Sequence, residues 1–113
     1  MEKFFTNKKI LITGGTGSLG KAIIKYLKNN FRDFEKLNTT FSIHKPDYVI
    51  HTGALKRVDD MEFYPDECVK TNIQGSENVA RASLLNGIKK CILVSTDKAC
   101  QPINVYGSSK FIA

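Results

Sequence analysis

Thr13-Gly14-Gly15-Thr16-Gly17-Ser18-Leu19-Gly20 is the stretch whose reading decides the fold. It follows the apolar run Ile10-Leu11-Ile12 and opens into a helical pattern. Glycines three apart at a strand-to-helix turn let the backbone fold tightly and come close to a phosphate. The first turn of the helix then offers free N–H donors to the anion. A glycine-rich turn alone says little, but here the strand before it and the amphipathic helix after it are both legible. Together they imply dinucleotide binding, with Gly14, Thr16, Gly17, Ser18, Leu19 and Gly20 as the residues around the phosphates.

Working outward, Lys9 to Thr13 reads as a short buried parallel strand closed by glycine. From Ser18 to Asn29, Leu19, Ala22, Ile23, Tyr26 and Leu27 recur at helical spacing. A second helical pattern sets Phe34, Leu37 and Phe41 on one face and stops before Pro46. Tyr48 to His51 is another apolar strand. Pro65 suits a first helical turn, Glu67 complements its dipole, and the pattern runs through Leu84 to a natural C-cap at Gly87. Cys91 to Val94 reads as a third strand, and Tyr106 to Ala113 begins a further helix. Parallel strands joined by helices imply an α/β layer fold. A dinucleotide-binding unit should carry an acidic residue about 20 residues beyond its glycines to hold the ribose. Only Asn38, Thr39 and Thr40 stand there, and Asp33 and Glu35 read as helix-start residues.

At 113 residues the chain is one domain or part of one, with 42% hydrophobic and 25% charged residues, ordinary for a globular protein. The 17 Lys+Arg against 11 Asp+Glu give a formal charge of +6, but the lysines are scattered. No basic stripe interleaves with aromatics, so solvated lysines are preferred over nucleic-acid binding. Cys68, Cys91 and Cys100 lack metal-ligand spacing and read as reduced thiols, with no metal expected. Met1 to Lys9 leads straight into the first strand, leaving no room for a signal peptide, and no apolar run approaches a membrane span. The cytoplasm is the expected compartment.

The chemistry concentrates after the third strand, in Ser95-Thr96-Asp97-Lys98 and then Tyr106 and Lys110. Tyr and Lys four apart share one helix face, and an ammonium near a phenol favours phenolate. Such a phenol can remove a hydroxyl proton while a nicotinamide takes the hydride. His51 reads equally as a crevice residue or as a hydrogen-bonded structural histidine. His44 reads as a solvated helix end.

The blocks Thr13 to Gly20, His51-Thr52-Gly53-Ala54-Leu55-Lys56, Glu62-Phe63-Tyr64-Pro65, Lys70-Thr71-Asn72-Ile73-Gln74-Gly75, Glu77-Asn78-Val79, Ser95-Thr96-Asp97-Lys98-Ala99, Pro102-Ile103-Asn104 and Tyr106-Gly107-Ser108-Ser109-Lys110 carry a resemblance. In them the chain resembles the extended short-chain dehydrogenases/reductases. Within these it is similar to the inverting UDP-N-acetylglucosamine 4,6-dehydratases of the polysaccharide-biosynthesis (CapD-like) group. In the related retaining dehydratases glutamate follows the aspartate, whereas here Lys98 follows Asp97. The resemblance implies NADP as cofactor, with NAD the alternative, and a nucleotide-sugar substrate. It places Ala54 and Lys110 on the cofactor. Tyr106, supported by Lys110, would deprotonate the sugar C4 hydroxyl, Lys98 would remove the C5 proton, and Asp97 would protonate the departing C6 hydroxyl. For those roles the amine needs a lowered pKa and the carboxyl a raised one, both supplied by burial. Thr96 would hydrogen-bond the substrate, and Asn72 would brace the backbone or, in the plainer reading, face solvent. Lys56 matches a family position near the crevice or is a surface lysine.

Against that pattern, the strand that reads the ribose, a helix and a third strand are missing between the first helix and Arg32-Asp33-Phe34. The expectation is therefore a partial Rossmann-type, doubly wound parallel sheet with strands resembling the first, fourth and fifth. Residues 1–113 would form an incomplete NAD(P)-binding domain without the C-terminal portion that binds the nucleotide sugar. The first strand would become an exposed edge open to another chain, a homo-oligomer included, and the helix carrying Tyr106 would fray. Three functions stay open: a sugar-nucleotide 4,6-dehydratase, a non-catalytic remnant or interaction module that binds a dinucleotide weakly, and a sugar-nucleotide epimerase, which the Asp97-Lys98 pair disfavours.

Overall fold

The computed structural model describes residues 8–14 and 31–113. The glycine-rich turn beyond Gly14, with Thr16, Gly17, Ser18, Leu19 and Gly20, and the helix expected over Ser18 to Asn29 lie outside the described residues. Strands β1 (Ile10–Thr13), β2 (Tyr48–His51) and β3 (Lys90–Leu93) form a parallel sheet in the order β1-β2-β3. Ile10 pairs with Tyr48 and Tyr48 with Lys90, so Leu11, Val49 and Cys91 stand on one face of the sheet. The expected α/β sheet of three parallel strands is what forms. β3 begins one residue earlier than the apolar run suggested.

Among the described residues, helix α1 (Phe34–His44) precedes β2. Asp33 starts it, its side chain accepting from the Lys36 N–H at 3.1 Å, which confirms a capping role for this acid. Leu37 and Phe41 fall on its inner face, and the chain leaves through Lys45 in the left-handed region ahead of Pro46. Between β2 and β3 stand α2 (Val58–Phe63), α3 (Pro65–Cys68), a π-helical stretch (Val69–Gln74) and α4 (Gly75–Leu85). The sequence pattern predicts one helix from Pro65 to Leu84 and gives no sign of α2. The helical course is continuous, but six residues in its middle widen to π geometry, and Gly87 follows with φ 64°. After β3 come a 3₁₀ turn (Asp97–Ala99) and α5 (Val105–Ile112).

One core joins these layers. Leu11 and Val49 from the sheet meet Leu37 and Phe41 of α1 and Val79 and Ala82 of α4, with Phe31, Phe34, Ile88 and Cys91 packed around them. Asp47 ties the strand entrances together, accepting from the Lys9 N–H at 3.1 Å and from Lys89 Nζ at 3.0 Å. Those bonds, Lys89 first, hold its carboxyl below the usual range.

β1 stands at one edge of the sheet among the described residues, as expected, and β3 at the other. In β1, Leu11, Ile12 and Thr13 are buried. β3 is the more exposed of the two, with Ile92 52% exposed.

Phe41 has no exposed surface at the centre of this core. Phe41→Ala is expected to cost about 3–5 kcal/mol, read as a lower urea midpoint.

Candidate active site

The strands deliver Thr13 and His51 to the carboxyl edge of the sheet, where an open α/β fold keeps its ligand crevice. There the turn after β1 and the loop after β2 meet. Thr52 donates to the Thr13 carbonyl through both N–H (3.1 Å) and Oγ1 (2.7 Å). Gly14 has φ 78°, and a Cβ on it would collide with the backbone of Gly53, so only glycine fits. A crevice of about 540 Å³ opens beside this contact. Gly14, Ala54, Thr71, Ser95, Tyr106 and Lys110 are among the residues on its walls. The structure thus brings together Gly14 and Ala54, expected on the cofactor, with Tyr106 and Lys110, expected to act on the substrate.

Lys110 is half-buried, and burial lowers its pKa. Its Nζ donates to the Val94 carbonyl at 3.0 Å, tying α5 to the end of β3. The helix does not stand unsupported, as the sequence suggested. It packs against α2, α3 and the π stretch and buries Gly107 and Ser109.

His51 resolves to the structural reading. It is 2% exposed, its Nδ1 bonds Thr13 Oγ1, and its Nε2 lies 3.2 Å from Ser76 Oγ. Ser76 gives its single hydroxyl proton to the Asn72 carbonyl at 2.7 Å. It must therefore accept from Nε2–H, which leaves Nδ1 to accept from Thr13. Burial first, and then the Lys110 charge, push the His51 pKa down to about 4. A neutral ring locked at both nitrogens is a brace between β1, β2 and α4.

Asn72 is fully buried rather than solvent-facing. Its Oδ1 accepts from the Leu55 N–H at 2.8 Å, and its Nδ2 donates to the Leu55 carbonyl at 3.0 Å and to Ser109 Oγ at 2.9 Å. It sits in the π stretch, a geometry that recurs at functional positions in helices.

Thr96, Asp97 and Lys98 depart from expectation. Asp97 and Lys98 are exposed, in the 3₁₀ turn that leaves β3. Thr96 donates to Asp97 Oδ1 at 2.9 Å rather than reaching into the crevice. That bond, and then the Lys98 charge, hold the Asp97 carboxyl below the usual range, the reverse of the shift an acid catalyst needs. Exposed to water, the carboxylate loses too little hydration to push its pKa upward. Lys56 lines the crevice, whereas His44 is exposed at the end of α1.

Sequence reasoning missed Ser76 and Ser109, small hydroxyls on helices whose partners arrive from distant segments and leave no local signal. It also missed the bond from the Val105 N–H to Glu62 Oε1, 2.6 Å long and spanning 43 positions. Among the described residues no cluster of His, Cys, Asp and Glu could hold a metal, and no helix is long and apolar enough to cross a membrane.

A parallel sheet under helices, with a glycine-lined crevice at the strand ends, defines a doubly wound α/β protein of Rossmann type. The chain belongs to the polysaccharide biosynthesis protein family, which matches residues 28–113. It is 40% identical over 140 residues to an inverting UDP-N-acetylglucosamine 4,6-dehydratase of Campylobacter jejuni, covering 94% of this chain and 41% of that protein. It is 39% identical over 141 residues, with the same coverages, to a UDP-glucose 4-epimerase of Rickettsia bellii. A solved dTDP-4-dehydrorhamnose reductase of Bacillus anthracis, in complex with NADP, superposes with TM-score 0.85 at 28% identity. That superposition covers 94% of this chain and 48% of that one. The chain therefore spans less than half the length of these relatives. The aligned 140 residues exceed this chain's 113, so the Campylobacter protein carries residues inside the match that have no counterpart here.

His51 gives a pH test. Its folded pKa lies below its ordinary value of 6.5, so the unfolded chain binds the extra proton. Its contribution is complete above pH 6.5 and is lost as pH falls towards 4. Urea midpoints between pH 7 and 4.5 should drop more steeply for the natural chain than for His51→Gln. The full difference at the acid end is about 3 kcal/mol.

Proposed function

We propose that this chain serves nucleotide-sugar chemistry of the 4,6-dehydratase type, with UDP-N-acetylglucosamine as substrate, NADP as cofactor and NAD as the alternative. The observation that supports it is the crevice in which Gly14 and Ala54 face Tyr106 and Lys110. Its described walls fit a dinucleotide. Gly14 and Gly53 bring bare backbone to one side, and a half-buried ammonium offers protons to ribose or phosphate oxygens at the other. The three free cysteines accord with a cytoplasmic setting.

When bound, the nicotinamide supplies the redox half of the chemistry, taking hydride from C4 and giving it back at C6. The chain's residues handle the protons. Tyr106 accepts the C4 hydroxyl proton, with Lys110 four residues on at the same crevice wall. The resulting ketone acidifies C5–H, which Lys98 removes, and Asp97 protonates the C6 hydroxyl as it departs. Return of the C5 proton from the other face inverts that centre. The two relatives named as dehydratase and epimerase are almost equally identical to this chain. The choice between them rests on Asp97-Lys98, an acid and a base that an elimination needs and a C4 epimerisation does not.

A second reading has its own observation. Asp97 and Lys98 stand in solvent, so the 113-residue chain by itself suits weak dinucleotide binding without turnover.

Two measurements separate the readings. The chain mixed with NADP⁺ and UDP-N-acetylglucosamine should form no 4-keto product, and robust turnover would remove the non-catalytic reading. Residues 51–113 grafted in place of the matching stretch of the Campylobacter dehydratase should support 4-keto formation. In that graft, Lys98→Ala and Tyr106→Phe should each lower turnover about 100-fold or more. A folded graft that interconverts C4 epimers without eliminating water would overturn the dehydratase reading.

A further inference from the structure

We infer that Glu62 is a positioning residue for Tyr106, acting through the N-terminus of α5. The inference rests on the reading of Tyr106 as the proton acceptor. The first N–H groups of a helix have no partner within it. In α5 two side chains share them. Asn104, directly before the helix, accepts from the Gly107 N–H at 2.7 Å. Glu62, on α2, accepts from the Val105 N–H at 2.6 Å. Val105 is the first residue of the helix and is bonded directly to Tyr106. The Glu62 carboxylate thus fixes the peptide unit one residue ahead of Tyr106, and its charge complements the positive end of the helix dipole.

The remaining contacts show why this bond sets the placement of the helix. Further along, Ser109 donates to the Tyr106 carbonyl at 2.8 Å and accepts from Asn72. At Gly107 the helix lies so near the 3₁₀ turn that a Cβ would stand 2.5 Å from the Lys98 carbonyl oxygen. Asn72 holds the middle of the helix, Lys110 ties its end to Val94, and the close approach at Gly107 limits sliding. Glu62 pins the end next to Tyr106. Its backbone is anchored by the adjacent Met61, which is buried.

The experiment uses the 113-residue chain without cofactor or substrate, so it reads out whether or not the dehydratase reading holds. Amide hydrogen exchange is followed in α5, β2 and α4, together with the ring signals of Tyr106, Tyr48 and Tyr64 in tyrosine-labelled protein. Glu62→Ala should speed exchange at Val105 to Gly107 about fivefold to tenfold, in line with losing a helix cap, and leave β2 and α4 unchanged. It should shift the Tyr106 signal and spare Tyr48 and Tyr64. Glu62→Gln, whose amide oxygen can still accept, should restore most of the protection and the Tyr106 signal. Glu62→Asp, one methylene too short, should behave like alanine. Uniform loss of protection across β2 and α4, an unmoved Tyr106 signal in Glu62→Ala, or a glutamine variant as impaired as alanine would each overturn the proposal.

Discussion

The buried amide of Asn72 holds the candidate site together. It bonds both backbone groups of Leu55, in the loop after β2, and the hydroxyl of Ser109, on the helix that carries Tyr106 and Lys110. One side chain thus fixes the spacing between the two walls of the crevice. Each bond replaces one to water in a place water does not reach, so removing the amide would leave the Leu55 groups unpaired. The network extends to the sheet, because the Asn72 carbonyl accepts from Ser76, which in turn accepts from His51. The strand ends, the π stretch and α5 are therefore one hydrogen-bonded unit, and it is neutral at physiological pH because His51 carries no proton to spare.

Much of this was legible in the sequence wherever the signal was local. The apolar run Tyr48 to His51 gave its strand to the residue, Asp33 announced the start of α1, and Leu37 and Phe41 marked the buried face. The four-residue spacing of Tyr106 and Lys110 put both on the crevice. What stayed hidden depends on contacts between distant segments. The π stretch holds Asn72, whose partners Leu55 and Ser109 come from distant segments invisible in the local pattern. Helix α2 is short, with a single buried residue, Met61, too few to give a periodicity. The greater exposure of β3 was equally hidden, because Cys91 to Val94 is as apolar as the strands that end up buried.

The site also shows how binding and chemistry separate physically. Gly14, Ala54, Tyr106 and Lys110 are gathered by the sheet, the Asn72 network and α5, all elements with a buried side. Asp97 and Lys98 stand on a three-residue turn with no buried residue, and Thr96 and Lys98 hold the Asp97 carboxylate ionised. A carboxyl that must give up a proton needs the desolvation this turn lacks. Residues that enclose the turn would supply it, so the pair proposed for proton transfer is the part of the site most dependent on its surroundings.

The most direct test of the account is whether a dinucleotide enters the crevice at the carboxyl ends of the strands. Amide signals of the chain should be followed as NADP⁺ is added. Shifts should concentrate at Gly14, Thr52 to Leu55, Val94, Ser95 and Lys110, and Gly14→Ala should abolish them while the core signals of α1 and α4 stay in place. Shifts confined to the exposed lysines around Asp47, at the opposite edge of the sheet, would contradict it.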